Sequence, residues 1–241
     1  MKIGILAAGI TPDVLQVNYP SYADMFVQQL TYIEPTLAFE IYDVRLDEFP
    51  QSAASCDGWL ITGSKCNSYD DDPWILRLCD FIREIDSNKQ TLVGICFGHQ
   101  IIARALGGTV IKSPAGWGVG VHHYQVTSDI PTLPGATDIA FCAFHQDQVI
   151  EKPKKLNVFL RSDFCEFAGF IYQDRILTFQ GHPEFSKEYE SDLVELYAGV
   201  TLTPEIADKA RITIKEENIQ NKQLMSWIAH FLKNKPQSSD M

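Results

Sequence analysis

Apolar residues along the chain fall first into short continuous runs separated by helical stripes. Lys2 to Ala8 reads as a first, central strand, and Gly9 to Pro20 as a loop. Tyr22 to Ile33 places Met25, Phe26, Leu30 and Ile33 at helical spacing. Ala38 to Val44 and Asp57 to Thr62 are the next two strands. Asp72-Pro73 has the form of an N-cap followed by proline at the first helical position, and it predicts a helix to about Ile85. Leu92 to Ile95 is a buried strand, and Ile101 to Leu106 continues as a helix. This β-α-β-β-α-β-α alternation predicts an α/β fold: an open, mostly parallel twisted sheet with helices on both faces.

The second half changes period. Val119 to Thr127, Asp138 to Phe144, Asn157 to Ser162, Glu166 to Gln173 and Arg175 to Gln180 are short strand candidates with few helices between them. They predict an antiparallel extension of the sheet, with a hairpin turning at Gln173-Asp174-Arg175. Helices return at Lys187 to Gly199 and from about Pro204. Glu216 to Lys233 carries Ile219, Leu224, Trp227, Ile228 and Phe231 on one stripe, which is expected to pack on the domain. Lys235 to Met241 is polar and expected to fray. The simplest organisation is one α/β domain over residues 1–200 and a helical C-terminal extension over 201–241 packed against it.

Composition narrows the function. A net charge of −11 argues against a nucleic-acid partner, which would call for a basic face. No apolar run approaches the ~20 residues a membrane span needs. Met1 to Leu6 lacks a signal-peptide layout, so a cytoplasmic location is expected. The six cysteines form no Cys-x-x-Cys pair and match no zinc spacing. In a reducing compartment most of them read as small core residues.

Cys96 is different. It stands between Gly94 and Gly98 where a strand turns into a helix, the cysteine counterpart of a Gly-x-Ser-x-Gly elbow. Such a turn strains the backbone of the nucleophile and brings strand and helix too close for side chains at the flanking positions. It also sets the sulfur at a helix N-terminus, where the dipole favours thiolate. A buried structural cysteine beside two packing glycines is the competing reading. A cysteine nucleophile needs a base and a group to orient it. His182 follows a strand and precedes Pro183 and Glu184, so it can serve as base with Glu184 holding its far nitrogen; a surface histidine with a capping glutamate is the alternative. His99 sits too near Cys96 along the helix for that task, His122-His123 point to opposite faces of a strand, and His230 is expected in solvent. Oxyanion donors would be the backbone N–H of Phe97 and a second from the Gly63-Ser64 turn, which reads equally well as a plain strand terminator.

Gly94-Ile95-Cys96-Phe97-Gly98-His99-Gln100, followed downstream by Gly181-His182-Pro183-Glu184, resembles the class I, triad-type glutamine amidotransferases. The match runs from Ile3 to about Tyr197. Trp117-Gly118-Val119-Gly120 is similar to stand-alone members close to the GMP synthetase amidotransferase domain. The resemblance implies a flavodoxin-like architecture, with Cys96 as nucleophile, His182 as base and Glu184 as its orienter. It implies that Gln100 lines the glutamine pocket and that His145, Gln146 and Asp147 help hold the substrate's amino-acid end. The family's Gly-Gly oxyanion turn is Gly63-Ser64 here. The implied reaction is hydrolysis of a side-chain amide through a γ-glutamyl thioester, with no metal or cofactor. Three roles follow: a glutaminase passing ammonia to a separate synthase subunit, a self-contained γ-glutamyl amide or peptide hydrolase or transferase, and a non-catalytic binding module.

Overall fold

The computed structural model describes residues 1–234, so the expectation for Lys235 to Met241 lies outside the described residues. In chain order the elements are β1 (Lys2–Leu6), α1 (Tyr22–Ile33), β2 (Ala38–Tyr42), β3 (Gly58–Ile61), α2 (Pro73–Ser87), β4 (Thr91–Ile95), α3 (Phe97–Ala105) and β5 (Thr109–Lys112). These are followed by β6 (Gly118–Val126), β7 (Asp138–His145), β8 (Asp147–Glu151), β9 (Asn157–Arg161), β10 (Gly169–Tyr172) and β11 (Ile176–Phe179), then by α4 (Lys187–Tyr197), α5 (Pro204–Glu216) and α6 (Asn221–Lys233). Nine strands form one sheet in the order β2-β1-β3-β4-β11-β10-β9-β6-β7. The first five run parallel and the remaining pairings are antiparallel, as the change of period predicts.

Alternation along the parallel strands feeds two cores. Ile3, Ile5, Val93, Ile95 and Phe179 face one side, under Phe26 and Leu30 of α1 and Leu224, Trp227 and Ile228 of α6. Leu6, Trp59, Ile61 and Leu92 face the other, under Ile75, Leu78 and Ile82 of α2 and Phe97 and Ile101 of α3. A third cluster joins α4 and α5 to β6 and β7. No helix among the described residues is long and apolar enough to cross a membrane.

Several boundaries differ from the sequence reading. The helix expected over Glu216 to Lys233 is broken: α5 ends at Glu216 and α6 starts at Asn221. The interruption is pinned to the sheet edge, where Gln220 gives its N–H to the Ala140 carbonyl (2.9 Å) and takes the Ala140 N–H on its side-chain oxygen (2.6 Å). Both polar groups of an edge residue are thereby satisfied, at the expense of helical backbone. Ile219 consequently packs with the α4–α5 cluster and leaves the α6 stripe. The strand expected over Glu166 to Gln173 starts only at Gly169, where the pairing with β9 shifts register. The hairpin at Gln173-Asp174-Arg175 forms as expected, with Gln173 at φ 50°. A small sheet, β5 with β8, has no counterpart in the sequence reading, because its strands expose about half their residues and lack clean alternation. Asp72 precedes α2 without a side-chain capping bond, and Pro73 opens the helix.

The consequence for function is directional. The parallel strands β1, β3, β4 and β11 all end on one side, delivering Gly9, Gly63, Cys96 and His182 to the same edge of the sheet, where open α/β sheets hold ligands.

Candidate active site

Cys96 caps α3 with φ 52° and ψ −102°, a left-handed backbone that a non-glycine residue holds only when its surroundings enforce it. Its N–H is tied to the Phe179 carbonyl at 2.8 Å and its carbonyl to the Gln100 N–H at 3.1 Å. The flanking glycines are required by close approach. A Cβ on Gly94 would lie 2.6 Å from the Gly98 carbonyl oxygen, and one on Gly98 would lie 2.4 Å from that of Ile61. The elbow predicted from the sequence is therefore present, strain included.

His182 reaches the same place from β11. Its backbone N–H donates to the Cys142 carbonyl of β7 at 2.8 Å, which fixes the ring's origin between two strands. Glu184 Oε1 lies 2.8 Å from His182 Nδ1, and both residues are buried. The ring stacks on Phe185 with centroids 3.9 Å apart and planes 6° from parallel. Burial works against a charged imidazole here. The Glu184 carboxylate and the Cys96 sulfur, both hydrogen-bonded to the ring, outweigh it and raise the His182 pKa to about 10. Gly63 completes the contact: a Cβ there would come within 2.8 Å of His182 Cε1 and 3.7 Å of Cys96 Cβ. Ser64 turns its hydroxyl away from this task and accepts the Cys66 N–H at 3.1 Å, shaping the loop beyond.

Ser64, Cys96, His182 and Phe185 line one cavity of about 350 Å³. Gln100, His145, Gln146 and Asp147 line it too, so the structure brings together all the substrate-binding residues expected from the sequence. Gln100 donates its amide to the Asp147 carbonyl at 2.8 Å and to Gln180 at 3.2 Å, tying α3 to the start of β8. Burial lowers the His145 pKa to about 3, so its ring is neutral. Nδ1 faces the Asp147 carbonyl at 3.2 Å and acts as its donor, leaving Nε2 an acceptor with no hydrogen-bond partner among the described residues. Burial also raises the Asp147 carboxyl. His99 is scaffold, as its position suggests: it bonds Thr178 at 2.8 Å and stacks on Phe170. His122 packs against Phe164, His123 pairs with Asp138 and Glu217 across the opposite face, and His230 is exposed.

Sequence reasoning missed part of the site. All six cysteines are free, and Cys66, half-buried, also lines the cavity. Lys112 enters from β5, a strand the pattern does not reveal, and Tyr22 and Tyr197 enter from α1 and α4. Glu190 lies behind the cavity. It is fully buried, accepts the Gly120 N–H at 2.9 Å on Oε1, and leaves Oε2 without a hydrogen-bond partner among the described residues. Its position on the buried stripe with Leu193 and Val194 was the available signal.

The description "Glutamine amidotransferase class-I" belongs to a family model that matches residues 14–195. Gamma-glutamyl peptidase 5 of Arabidopsis thaliana is 30% identical over 227 residues, covering 90% of this chain and 89% of that protein. A subunit of a glutamine-hydrolysing GMP synthase from Methanosarcina acetivorans is 36% identical over 118 residues, 48% of this chain and 60% of that protein. Among solved structures, a glutamine amidotransferase from Thermotoga maritima superposes with a TM-score of 0.74 at 18% identity, covering 97% of this chain and 99% of that one, a likeness of fold.

Proposed function

We propose, on the premise that this chain belongs to the class-I glutamine amidotransferase family, that it hydrolyses γ-glutamyl amides through a covalent bond to Cys96. The observation that carries the reading is the Cys96 sulfur at a strained strand–helix turn, hydrogen-bonded to a buried imidazole that a carboxylate holds from behind. An arrangement of that kind stores the thiol proton on the ring and keeps the attacking sulfur available.

In the proposed sequence the Cys96 sulfur adds to the γ-carbonyl carbon. Charge on the carbonyl oxygen is met by the backbone N–H of Phe97 and one from the Gly63-Ser64 turn. The tetrahedral adduct collapses, the C–N bond breaks, and His182 gives its proton to the departing amine. Water then attacks the γ-glutamyl thioester, loses a proton to His182, and releases glutamate and the free sulfur. Glu184 holds the ring by Nδ1 throughout. Gln100, His145, Gln146 and Asp147 hold the amino-acid end.

Glutamine is the smallest substrate this chemistry accepts. The similarity to a full-length gamma-glutamyl peptidase favours a self-contained hydrolase, since that relative and this chain cover one another almost completely. Delivery of ammonia to a separate synthase subunit is the second reading, favoured by the similarity to the GMP synthase subunit. The test is release of glutamate from glutamine and from γ-glutamyl dipeptides by the purified protein, with Cys96→Ala alongside. We expect turnover by the wild type and a loss of roughly three orders of magnitude or more in the variant. Unchanged turnover in Cys96→Ala would overturn the mechanism.

A further inference from the structure

One wall of the cavity has no task in glutamine hydrolysis. The departing group is the one that His182 protonates, so it must lie on the His182 side of the reacting carbon. When the substrate is glutamine that group is ammonia, which needs no apolar surface. Yet the cavity on this side is aromatic. Phe185 stacks on His182, and Tyr22 packs on Phe185 with centroids 5.6 Å apart. Trp117 meets Phe144 edge-to-face at 5.5 Å, and Phe144 meets Tyr197 at 5.6 Å. Tyr22, Trp117, Phe144 and Tyr197 are only half-buried and line the cavity. Phe144 lies two residues beyond Cys142 on β7, the residue bridged to His182, and shares that residue's face of the sheet. Gln100, Gln146, Asp147 and Lys112 supply the cavity's polar lining.

Half-buried aromatic rings around a concave site are surface that a ligand covers. The wall is also built firmly. Among the elements that carry it, α4 and the β6–β7 pair are bound together by Glu190 of α4, which accepts the Gly120 N–H of β6 at 2.9 Å. At about 350 Å³ the cavity lies within the ~300–1,000 Å³ range of pockets that enclose ligands larger than an amino acid.

We propose that Tyr22, Trp117, Phe144 and Tyr197 form a leaving-group subsite, and that the preferred substrates are γ-glutamyl amides whose departing amine carries an aromatic or branched apolar side chain. The proposal rests on the γ-glutamyl amide reading above and adds to it the class of amine released. Polar recognition stays with the glutamyl half, and the apolar half is read by burial.

The experiment compares γ-glutamyl-phenylalanine, γ-glutamyl-glycine and glutamine by glutamate released. For the wild type, kcat/KM for the phenylalanine compound should exceed that for the glycine compound at least roughly tenfold, mainly through a lower KM. Trp117→Ala should bring that ratio down toward one, and Trp117→Phe should restore most of it; Phe144→Leu provides a second, milder probe of the same wall. Equal kcat/KM for the two dipeptides, or a ratio untouched by Trp117→Ala, overturns the subsite and leaves γ-glutamyl hydrolysis standing. No glutamate from any of the three overturns both.

Discussion

Glu190 offers a sharp test of the buried electrostatics. The carboxyl is fully buried on α4 and has one hydrogen bond among the described residues, from the Gly120 N–H. Desolvation raises its pKa from 4.5 to about 8; the Gly120 N–H and the His182 charge oppose the shift, and the Glu184 charge adds to it. Because the folded-state pKa lies above the unfolded one, the favourable contribution of the protonated form is complete below about pH 4.5 and is lost as pH rises through about 8. At ~1.4 kcal/mol per pH unit for one proton, the full loss is roughly 5 kcal/mol. That is a large share of the ~5–15 kcal/mol that holds a domain folded. Glu190→Gln keeps the shape and the acceptor for Gly120 and removes the titration. Guanidinium unfolding of both proteins at pH 5, 7 and 9 is the assay. The two should agree within about 1 kcal/mol at pH 5, and the variant should be the more stable by several kcal/mol at pH 9. His182 also destabilises the fold as pH rises above about 6.5, in both proteins, so comparing the two removes most of that contribution. A difference that stays constant from pH 5 to pH 9 would refute the burial argument.

Other substitutions probe single links. Gly63→Ala places a methyl within 2.8 Å of His182 Cε1, so kcat should fall at least roughly tenfold with little change in melting temperature; full activity would mean the ring has room to move. Glu184→Gln removes the charge behind the imidazole and should cost about 10²–10⁴ in kcat, with the His182 pKa falling, seen by histidine NMR titration. Trp227→Ala empties a fully packed position against Phe159 and Phe179 and should destabilise by about 3–5 kcal/mol in denaturant melts, which would mark α6 as part of the main core.

The sheet's parallel half was legible because burial on both faces leaves continuous apolar runs, and the helices between them carry a 3.6-residue period. Cys96 was legible because the elbow is local: one strand, one turn and two glycines whose need for closeness is met within a few residues. His182 with Glu184 was legible for the same reason, since the two residues that hydrogen-bond are two positions apart. The broken helix at Glu217 to Gln220 was not, because the force that breaks it comes from Ala140, 80 residues away on a sheet edge. Nor were Cys66, Lys112, Tyr22 and Tyr197 as cavity residues, each brought in by a different loop, strand or helix.

What the chain determined by itself is the chemistry proposed for it, since a cysteine at a turn and a histidine beside its carboxylate are patterns of neighbouring residues. The amide proposed as its substrate follows only from the three-dimensional structure. The aromatic wall proposed to meet the departing amine is assembled from α1, α4 and the ends of β6 and β7, segments that have no periodic relation to one another. Packing of apolar side chains depends on shape across the whole fold, and no local pattern records it.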